Sequence, residues 1–400
     1  MPRWISLGGE VRGRAESWFG SEKLPGATEW DYLNRIRFDT TIRASRNIQF
    51  FVQLQDSRAV HPSELKLPAT IVNPLDLRQA WVHIGSGDEK KGAWIRVGRQ
   101  PLSFGAARLL WMSEWGNVGP GFDGVRLGYG RSSFTVNLFS AAAVRNVFGE
   151  IDTLHTDRQM HGFFGSFRKL IPNATVEPFL LWKHNHVVLC EHGTRGHMDL
   201  ATWGFRAGGK LPHRFDYISD IALQNGHQSA DRVRAWATHQ EIGLKPWKSE
   251  SAPRLAFEYQ RASGDKTPGD GVHTSFDQLY PAWKFGTADP IGWSNMQEVA
   301  GSVEWTCPLR MQCRASYHHF WILSRNDSLY AANGSVLGRN PNATSDNIGN
   351  EVDVRVTRKF GSKLSLMAGL GEFLPGEYWR QTKNTGPITY PFVMWNYTIH

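Results

Sequence analysis

The chain has 400 residues, of which 40 are glycine and 12% are aromatic, and it carries a formal net charge of +8. It contains no run of about 18 apolar residues, which excludes a membrane-spanning helix but not membrane-spanning strands, because half of each barrel strand faces water. The basic charge indicates anionic partners, and three cysteines are too few for a disulfide framework. Because no linker interrupts the even spread of glycine and aromatic residues, we expect a single domain over residues 1–400.

Charged and apolar residues alternate in several segments. In the segment 33–43, the residues of one face are Arg35, Arg37, Asp39, Thr41 and Arg43, and those of the other are Ile36, Phe38, Thr40 and Ile42. The segments 9–17 and 351–357 alternate in the same way. A two-residue period predicts strands with two different faces. Arginines on one face and a thin apolar band on the other are expected of a wall between lipid and a water-filled lumen. Solvated surface arginines on a soluble protein are the alternative.

Taken in chain order, segments of this kind predict about eighteen strands. They lie at 6–17, 32–43, 48–56, 76–84, 93–99, 122–130, 133–141, 160–168, 174–183, 199–208, 214–224, 233–244, 253–262, 296–306, 312–322, 350–358, 363–373 and 389–399. Long connections, such as 57–75, 100–121, 184–198 and 263–295, alternate with short ones. This alternation predicts an all-β, up-and-down antiparallel transmembrane barrel with short periplasmic turns and long extracellular loops.

A series of short motifs follows one another along almost the whole chain. They are GGEVRGR at 8–14, NRIR at 34–37, FVQLQDSR at 51–58, DLRQAWV at 76–82, RVGRQPLSFGAARL at 96–109, FDGVRL at 122–127, and SGDKTPGDG at 263–271 followed by FDQLYP at 276–281. In this order they resemble the alginate-export family of outer-membrane porins. The resemblance implies an eighteen-stranded monomeric barrel of the Gram-negative outer membrane, with an arginine-lined constriction that passes an anionic polysaccharide.

Carried onto this sequence, the resemblance implies a substrate pathway of basic and neutral polar residues. The candidates that would contact the substrate are Arg12, Arg14, Arg35, Arg37, Arg43, Arg96, Arg126, Arg355, Gln53, Gln55 and Gln79, and the supporting acidic residues are Glu10, Asp39, Asp123, Glu258 and Asp353. A guanidinium group pairs with the carboxylate of a polyuronate through two hydrogen bonds and stays charged. Because a channel must also release its solute, we expect weak and repeated contacts. The alternative is that these residues only brace the barrel interior through ion pairs.

We therefore expect a passive outer-membrane channel for alginate-like or other anionic saccharides. It would contact outer-membrane lipid and lipopolysaccharide, act as a monomer, engage periplasmic export partners and bind no nucleic acid. No catalytic motif stands out, so we expect neither an enzyme nor a cofactor. One alternative is a porin for the uptake of neutral oligosaccharides or small organic acids, because the turn at 358–362 is compact where the alginate secretion channel has an extended one. Another is a soluble all-β carbohydrate-binding protein or lyase, because no export signal is visible.

Three further groups of residues give weaker indications of metal binding or of a disulfide. Asp265 and Asp270 could hold calcium through carboxylates, although a Gly/Pro/Asp turn without an ion explains them as well. The segment 184–198 contains His184, His186, Cys190, Glu191, His192 and His197. Of these, His184, His186 and His192 are the candidates for holding zinc, and an ordinary polar loop explains them equally well. Cys307 and Cys313 flank the segment PLRMQ and could form a hairpin disulfide in an oxidising periplasm, or remain unbridged.

Overall fold

The computed structural model describes residues 4–20, 30–60, 67–106, 108–110, 114–119, 121–249, 251–280 and 285–399. Residues 107 and 281 of the quoted motifs lie outside this set. The described residues form one short helix, α1 (Glu377–Lys383), and 21 strands. The strands are β1 (Ile5–Glu16), β2 (Asp31–Arg43), β3 (Ile48–Val60), β4 (Asn73–Gly85), β5 (Gly92–Gln100), β6 (Phe122–Arg131), β7 (Phe134–Ala143), β8 (Arg158–Phe167), β9 (Ala174–Leu189), β10 (Arg195–Lys210), β11 (Phe215–Gln228), β12 (Asp231–Leu244), β13 (Arg254–Ala262), β14 (Val272–His273), β15 (Met296–Cys307), β16 (Met311–Ile322), β17 (Leu329–Tyr330), β18 (Val336–Gly338), β19 (Asn347–Phe360), β20 (Leu364–Pro375) and β21 (Ile388–Ile399).

Eighteen of these strands form one closed antiparallel barrel in which each strand pairs with the next along the chain. The first and last strands close it, in a register that runs from Gly9 opposite Ile399 to Glu16 opposite Phe392. The short strands β14, β17 and β18 lie outside this order; β14 runs parallel to β12, and β17 pairs with β18. The predicted fold class is therefore confirmed, and each of the eighteen predicted segments coincides with one barrel strand.

The connections alternate in length as predicted except between β9 and β13, where 190–194 and 229–230 are short and 245–253 is longer than either. Short turns such as 44–47, 132–133 and 361–363 lie at one end of the barrel, and long connections such as 101–121 and 263–295 start from the other. The loop predicted at 184–198 is wrong, because β9 continues to Leu189 and β10 begins at Arg195. Backbone pairing extends this hairpin as a sheet to Leu189 and Arg195, with one register shift between Gly196 and Met198.

The outer surface of the barrel is apolar and its inner surface is charged. On β2, Ile36 and Phe38 are 52% and 49% exposed, whereas Arg35 and Arg37 are only 2% and 6% exposed. This is the reverse of a soluble protein, in which guanidinium groups face water and large apolar side chains are buried. A continuous apolar outer band of this kind is stable against lipid, so the band marks the membrane-spanning part of the barrel. Among the described residues, no helix has the length and hydrophobicity needed to cross a membrane.

Long connections also fill part of the barrel interior. Phe104, from the connection 101–121, stacks against Phe139 and Phe164 on the inner wall, with ring centroids 5.2 and 5.1 Å apart. Leu110 forms an isolated bridge with Tyr280, so two inward connections contact each other. The described parts of 101–121 and 263–295 therefore fold from the long-connection end into the barrel, where their apolar side chains are buried.

Cys307 and Cys313 form a disulfide, with their Cα atoms 6.1 Å apart. The bridge closes the turn between β15 and β16. Of the two alternatives that the sequence left open, the structure therefore shows the disulfide. Cys190 is a buried free thiol.

The apolar outer band generates a prediction about stability in a bilayer. Leu127 faces outward in the middle of β6, so the substitution Leu127→Arg should destabilise the folded barrel by about 2–4 kcal/mol, because lipid cannot solvate the charge. Ala93 is exposed near the short-turn end of β5, and Ala93→Arg should cost only about 0–1 kcal/mol. Urea titration of folding into liposomes measures both values. Equal costs at the two positions would contradict the assignment of the lipid-facing band.

Candidate functional site

Four buried arginines lie together on the inner face of the first hairpin, and we refer to Arg12, Arg14, Arg35 and Arg37 as the arginine array. Their two-residue spacing places each pair on one face of its strand. The antiparallel register then sets Arg12 directly opposite Arg35. All four are 6% exposed or less. The array is therefore a product of strand period and register, both of which the sequence encodes.

The array holds a segment of the inward connection 101–121 by its backbone. Arg12 donates hydrogen bonds to the carbonyl oxygens of Glu114 and Gly116 at 2.5 and 3.0 Å. Arg35 donates to the same two oxygens at 3.2 and 3.1 Å. Asn117 adds a side-chain contact, since its Oδ1 accepts from Arg12 at 3.1 Å. Buried guanidinium groups need acceptors, and the segment 114–117 supplies them.

The side chain of Glu114 binds the array as well. Its carboxylate lies 2.6 Å from Arg37 Nη1 and 3.1 Å from Arg35 Nη2, and Glu10 binds Arg35 at 2.5 Å. Burial alone would raise the pKa of Glu114, but the positive charges of Arg37 and Arg35 outweigh it and hold that pKa below its ordinary value. Glu114 is nevertheless 49% exposed as a side chain, so the guanidinium groups are neutralised by an anion that solvent can reach.

Arg14 connects the array to the barrel seam. Its Nη1 donates to the carbonyl oxygen of Trp115 at 2.5 Å, and its guanidinium carbon lies 4.6 Å from the centroid of the Trp115 ring. Its Nε lies 2.7 Å from Glu16, whose carboxylate also accepts the hydroxyl hydrogen of Tyr390 on β21. The four arginines thus face three carboxylates, those of Glu10, Glu16 and Glu114, which leaves an excess of positive charge.

The other predicted arginines lie elsewhere. Arg96 and Arg126 form a second cluster around Glu89, at 2.5 and 3.4 Å, next to the short turn 86–91. Arg43 is exposed at the end of β2, where it donates to Ser6 Oγ at 2.9 Å. Arg355 is exposed opposite Arg314 on the neighbouring strand. The structure therefore brings together four of the eight predicted arginines at one place.

The predicted glutamines form hydrogen-bonded chains beside the array. Gln53 donates to Asp39 at 2.7 Å and accepts from Gln79 at 2.9 Å. Gln55 accepts from Arg37 Nε at 2.8 Å. These amides orient their charged neighbours and are themselves largely satisfied, apart from Gln55 Nε2, which has no hydrogen-bond partner among the described residues.

On β19, the third strand from β1 around the barrel, acidic side chains hold the second inward connection, 263–295. Asp353 accepts from the backbone N–H of Thr287 at 3.0 Å, and Glu351 accepts from that of Ala288 at 2.7 Å. A Cβ at Gly286 would lie 2.1 Å from a Glu351 carboxylate oxygen, so this approach of backbone to carboxylate requires glycine.

Glu258 and its neighbours extend this acidic wall. Glu258 binds Arg314 at 3.4 Å and His239 Nε2 at 3.5 Å. Arg108, from the connection 101–121, reaches across to the same wall, where its Nε lies 3.2 Å from Asp220 and its Nη1 donates to Gln260 at 2.9 Å. The connection 101–121 is therefore anchored on both sides of the lumen.

A third anchor involves Asp123, whose predicted role was to hold a guanidinium group. Its partner is Arg99, which it binds through both carboxylate oxygens at 2.8 and 2.9 Å. Arg99 also donates to the carbonyl oxygen of Asp152 in the connection 144–157. The backbone N–H of Asp152 donates to Asp76 at 3.1 Å, so the two carboxyl groups are neighbours.

Sequence reasoning missed several residues of these contacts, among them Arg99, Arg108 and Glu114, and it also missed the buried Arg78. Arg78 and Arg99 lie within quoted motifs, and the two-residue spacing of Asp76 and Arg78 places both on one face of a strand. That spacing could have identified Arg78, which is buried. Arg108 and Glu114 lie in an irregular connection without any periodic signal.

The carboxylates of the two residues suggested for calcium accept hydrogen bonds from groups of their own turn. Asp265 accepts from the backbone N–H groups of Thr267 and Thr274 at 2.9 and 3.1 Å, and Asp270 accepts from Thr267 Oγ1 at 2.6 Å. Asp265 has Glu191 and His273 as neighbours, with ligand atoms of all three within 4.8 Å of one another.

The histidines suggested for zinc are spread over the extended hairpin. His184 binds Asp199 at 2.7 Å, and its ring centroid is 5.2 Å from that of His186. His192 lies at the hairpin tip, next to Gly269. Among the described residues, these three histidines are not in the two groups that come within metal-binding range, which are Glu191 with Asp265 and His273, and His239 with Glu241 and Glu258.

Comparison with known proteins supports the barrel architecture and identifies a family match. A sequence model of the family described as alginate export matches residues 3–386. No curated protein matches the chain. The solved structure of OccD3 (OpdP) from Pseudomonas aeruginosa is similar, with a TM-score of 0.66 at 10% identity over 99% of this chain and 91% of that chain. OccAB4 from Acinetobacter baumannii gives 0.63 at 10% identity over 98% of both chains, and OpdK from Pseudomonas aeruginosa with vanillate gives 0.64 at 8% identity over 98% of both.

The similar structures share their fold with this chain, and the family match identifies a family of outer-membrane channels. Together with the closed barrel and its apolar outer band, this match assigns the protein to the bacterial outer membrane. It also overturns the alternative of a soluble carbohydrate-binding protein or lyase. Both the family and the similar structures are channels and porins rather than enzymes.

The contact between Asp152 and Asp76 generates a pH dependence. Burial, together with the neighbouring Asp76 carboxylate, raises the pKa of Asp152 from 3.8 to about 7. Because the pKa is higher in the packed state, the stabilisation is complete below about pH 4 and is lost as the pH rises through about 7. We expect amide hydrogen exchange in residues 144–157, corrected for intrinsic rates, to be faster at about pH 8 than at about pH 5.

The substitution Asp152→Asn should abolish this difference, because an amide does not titrate. Asp157 is exposed in the same connection, so Asp157→Asn is the matched control and should retain the difference. An unchanged pH dependence in Asp152→Asn would rule out this carboxyl group as its source.

Proposed function

Because this chain belongs to the alginate-export family, we propose that it is an outer-membrane channel whose arginine array selects anionic saccharides, such as polyuronates. The observation that carries the proposal is the convergence of four buried arginines on one inward segment, with only three carboxylates to neutralise them. Contact with lipopolysaccharide, action as a monomer and periplasmic export partners are parts of the same proposal.

The proposed selection works by exchange of carboxylates. Glu114 already binds Arg35 and Arg37 as a substrate carboxylate would, and its side chain is half exposed. A uronate group in the lumen can therefore replace it at the same guanidinium groups without leaving a buried charge unpaired. Each exchange is close to neutral in free energy, because one charge-assisted pair replaces another. Repeated exchange of this kind allows an anion to enter and also to leave.

Removal of two array charges tests this proposal. In the double variant Arg35→Ala with Arg37→Ala, the anion preference of the channel should fall. Both arginines that form ion pairs with Glu114 are lost, and the negative charge of Glu114 remains. The reversal potential in a KCl gradient across a planar bilayer measures it. Arg131 lies exposed at a short turn, so Arg131→Ala is the control and should leave the potential unchanged. Cation preference in the unmodified channel, or an unchanged potential in the double variant, would refute the proposal.

Removal of the competing anion should have the opposite effect. Glu114→Gln retains the backbone contacts of the segment 114–117 but adds one net positive charge near the lumen. A unit charge at about 4 Å is worth about 1 kcal/mol in water, so the anion-to-cation permeability ratio should rise roughly fivefold. Asp88→Asn makes the same charge change in the exposed short turn 86–91, outside the array and its cavity, and should have little effect. A lower ratio in Glu114→Gln than in the unmodified channel would contradict carboxylate exchange.

A second candidate function is the uptake of small solutes through the same barrel. The turn between β19 and β20 is limited to residues 361–363, and the similar structure of OpdK contains vanillate, a small aromatic acid. Liposome swelling separates the two functions. Uronates should enter faster than neutral sugars of equal size if the array selects anions, whereas equal rates would favour a general porin.

A further inference from the structure

A large cavity adjoins the arginine array on the side of the long connections. It has a volume of about 610 Å³, and we call it the tryptophan cavity because Trp18, Trp115 and Trp379 line it. Trp18 follows the end of β1 and Trp379 belongs to α1, which places the cavity at the long-connection end of the barrel. Arg14 and Lys383 also line it.

The walls of this cavity are more apolar than an anion pathway requires. Beside the tryptophans, they include the aliphatic side chains of Ile71, Val336, Leu337 and Ile388, together with a few polar residues such as Asn333 and Thr385. An inward arginine array would be sufficient to select a carboxylate. A concave, mostly apolar site with a few charged groups is instead typical of a pocket that binds one class of ligand, and its volume is within the usual range of about 300–1,000 Å³.

Trp115 couples the tryptophan cavity to the array. Its ring lines the cavity and lies under the guanidinium group of Arg14, and its carbonyl oxygen accepts from Arg14 at 2.5 Å and from Arg12 at 3.3 Å. Glu16, the acidic residue of the lining, is bound by Arg14 and Tyr390. A ligand in the cavity would therefore meet an aromatic surface, a positive field and the backbone segment that the array holds.

A second cavity provides a contrast. It has a volume of about 440 Å³ and lies next to β9, β10 and β11, on the side of the barrel away from the array. Its cation, Lys183, is paired with Asp277 at 2.6 Å. The turn 331–336 contributes to both cavities, so it separates a basic, tryptophan-lined space from a neutral, polar one.

We propose that the tryptophan cavity is a docking subsite for carboxylates that carry a ring. The apolar face of a sugar or aromatic ring would pack against the tryptophans, and the carboxylate would be attracted by Arg14 and Lys383. The inference rests on the proposed anion selection, because the cavity would deliver its ligand to the array. It defines the ligand of the cavity as a carboxylate that carries a ring, and uronate sugars and aromatic acids are two sources that share this chemistry.

Transient block of single-channel current in planar bilayers tests the subsite. The probes are glucuronate and vanillate as ring carboxylates, glucose as a ring without charge, and acetate as a charge without a ring. Residence times should be longer for at least one ring carboxylate than for acetate and glucose, and the comparison of glucuronate with vanillate identifies which source is preferred. Equal residence times for all four probes would overturn the proposal.

Trp115→Leu tests the contribution of the ring, because it removes the aromatic surface and keeps the backbone carbonyl that the arginines bind. The residence time of the preferred ring carboxylate should fall about tenfold, and that of acetate should not change. Trp203 is exposed on the outer surface, so Trp203→Leu is the matched control. An unchanged residence time in Trp115→Leu would overturn the proposal.

A second variant covers the case in which Trp115→Leu fails to fold. Ala332 lines the cavity from the turn 331–336, and Ala332→Phe should occupy part of it and shorten the block by ring carboxylates. The reversal potential, measured on the same channels, separates the two proposals. If the unmodified channel prefers anions but shows no ring-dependent block, only the subsite is refuted. If the unmodified channel has no anion preference, the proposed function is refuted.

Discussion

The interior of this barrel depends on the hydrogen-bonding requirement of buried guanidinium groups. An arginine that is almost fully buried carries five N–H donors that water cannot reach, so the protein must supply acceptors. Two adjacent strands bring four such groups to one place. The carbonyl oxygens of Glu114, Trp115 and Gly116 meet much of this requirement, which explains why a long connection turns into the lumen instead of extending outward.

One inward connection is bound through its backbone carbonyl oxygens, and the other is bound through its backbone N–H groups. On the basic side, arginines bind the carbonyl oxygens of the segment 114–117. On the acidic side, Asp353 and Glu351 bind the N–H groups of Thr287 and Ala288. The charges of each wall therefore match the partial charges that the backbone presents to it. A backbone bridge between Leu110 and Tyr280 joins the two connections, and both side chains pack in the apolar cluster inside the barrel.

The barrel was predictable because its information is local and periodic. Alternation in the segment 33–43 determined both the strand and the face of Arg35 and Arg37, and closely spaced turn residues determined most strand ends. The inward connections were not predictable, because their positions depend on contacts with residues far away in the sequence and they have no period. Glu114 illustrates this limit, since nothing around it in the sequence distinguishes it from a solvated loop carboxylate. The division of the eight predicted arginines into several groups has a related cause, because the two-residue period fixes the face of a side chain but neither its height along the lumen nor its position around the barrel.

The pairing of β1 with β21 also has a consequence for biogenesis. Glu16 binds Arg14 within its own strand and accepts a hydrogen bond from Tyr390, 374 residues later in the chain. Contacts between such distant residues form late, because the intervening chain must first be ordered. Arg14 can therefore reach its final orientation only when the last strand has joined the first. A partly assembled barrel would have an incomplete arginine array, so maturation of the selective site is tied to the final step of insertion.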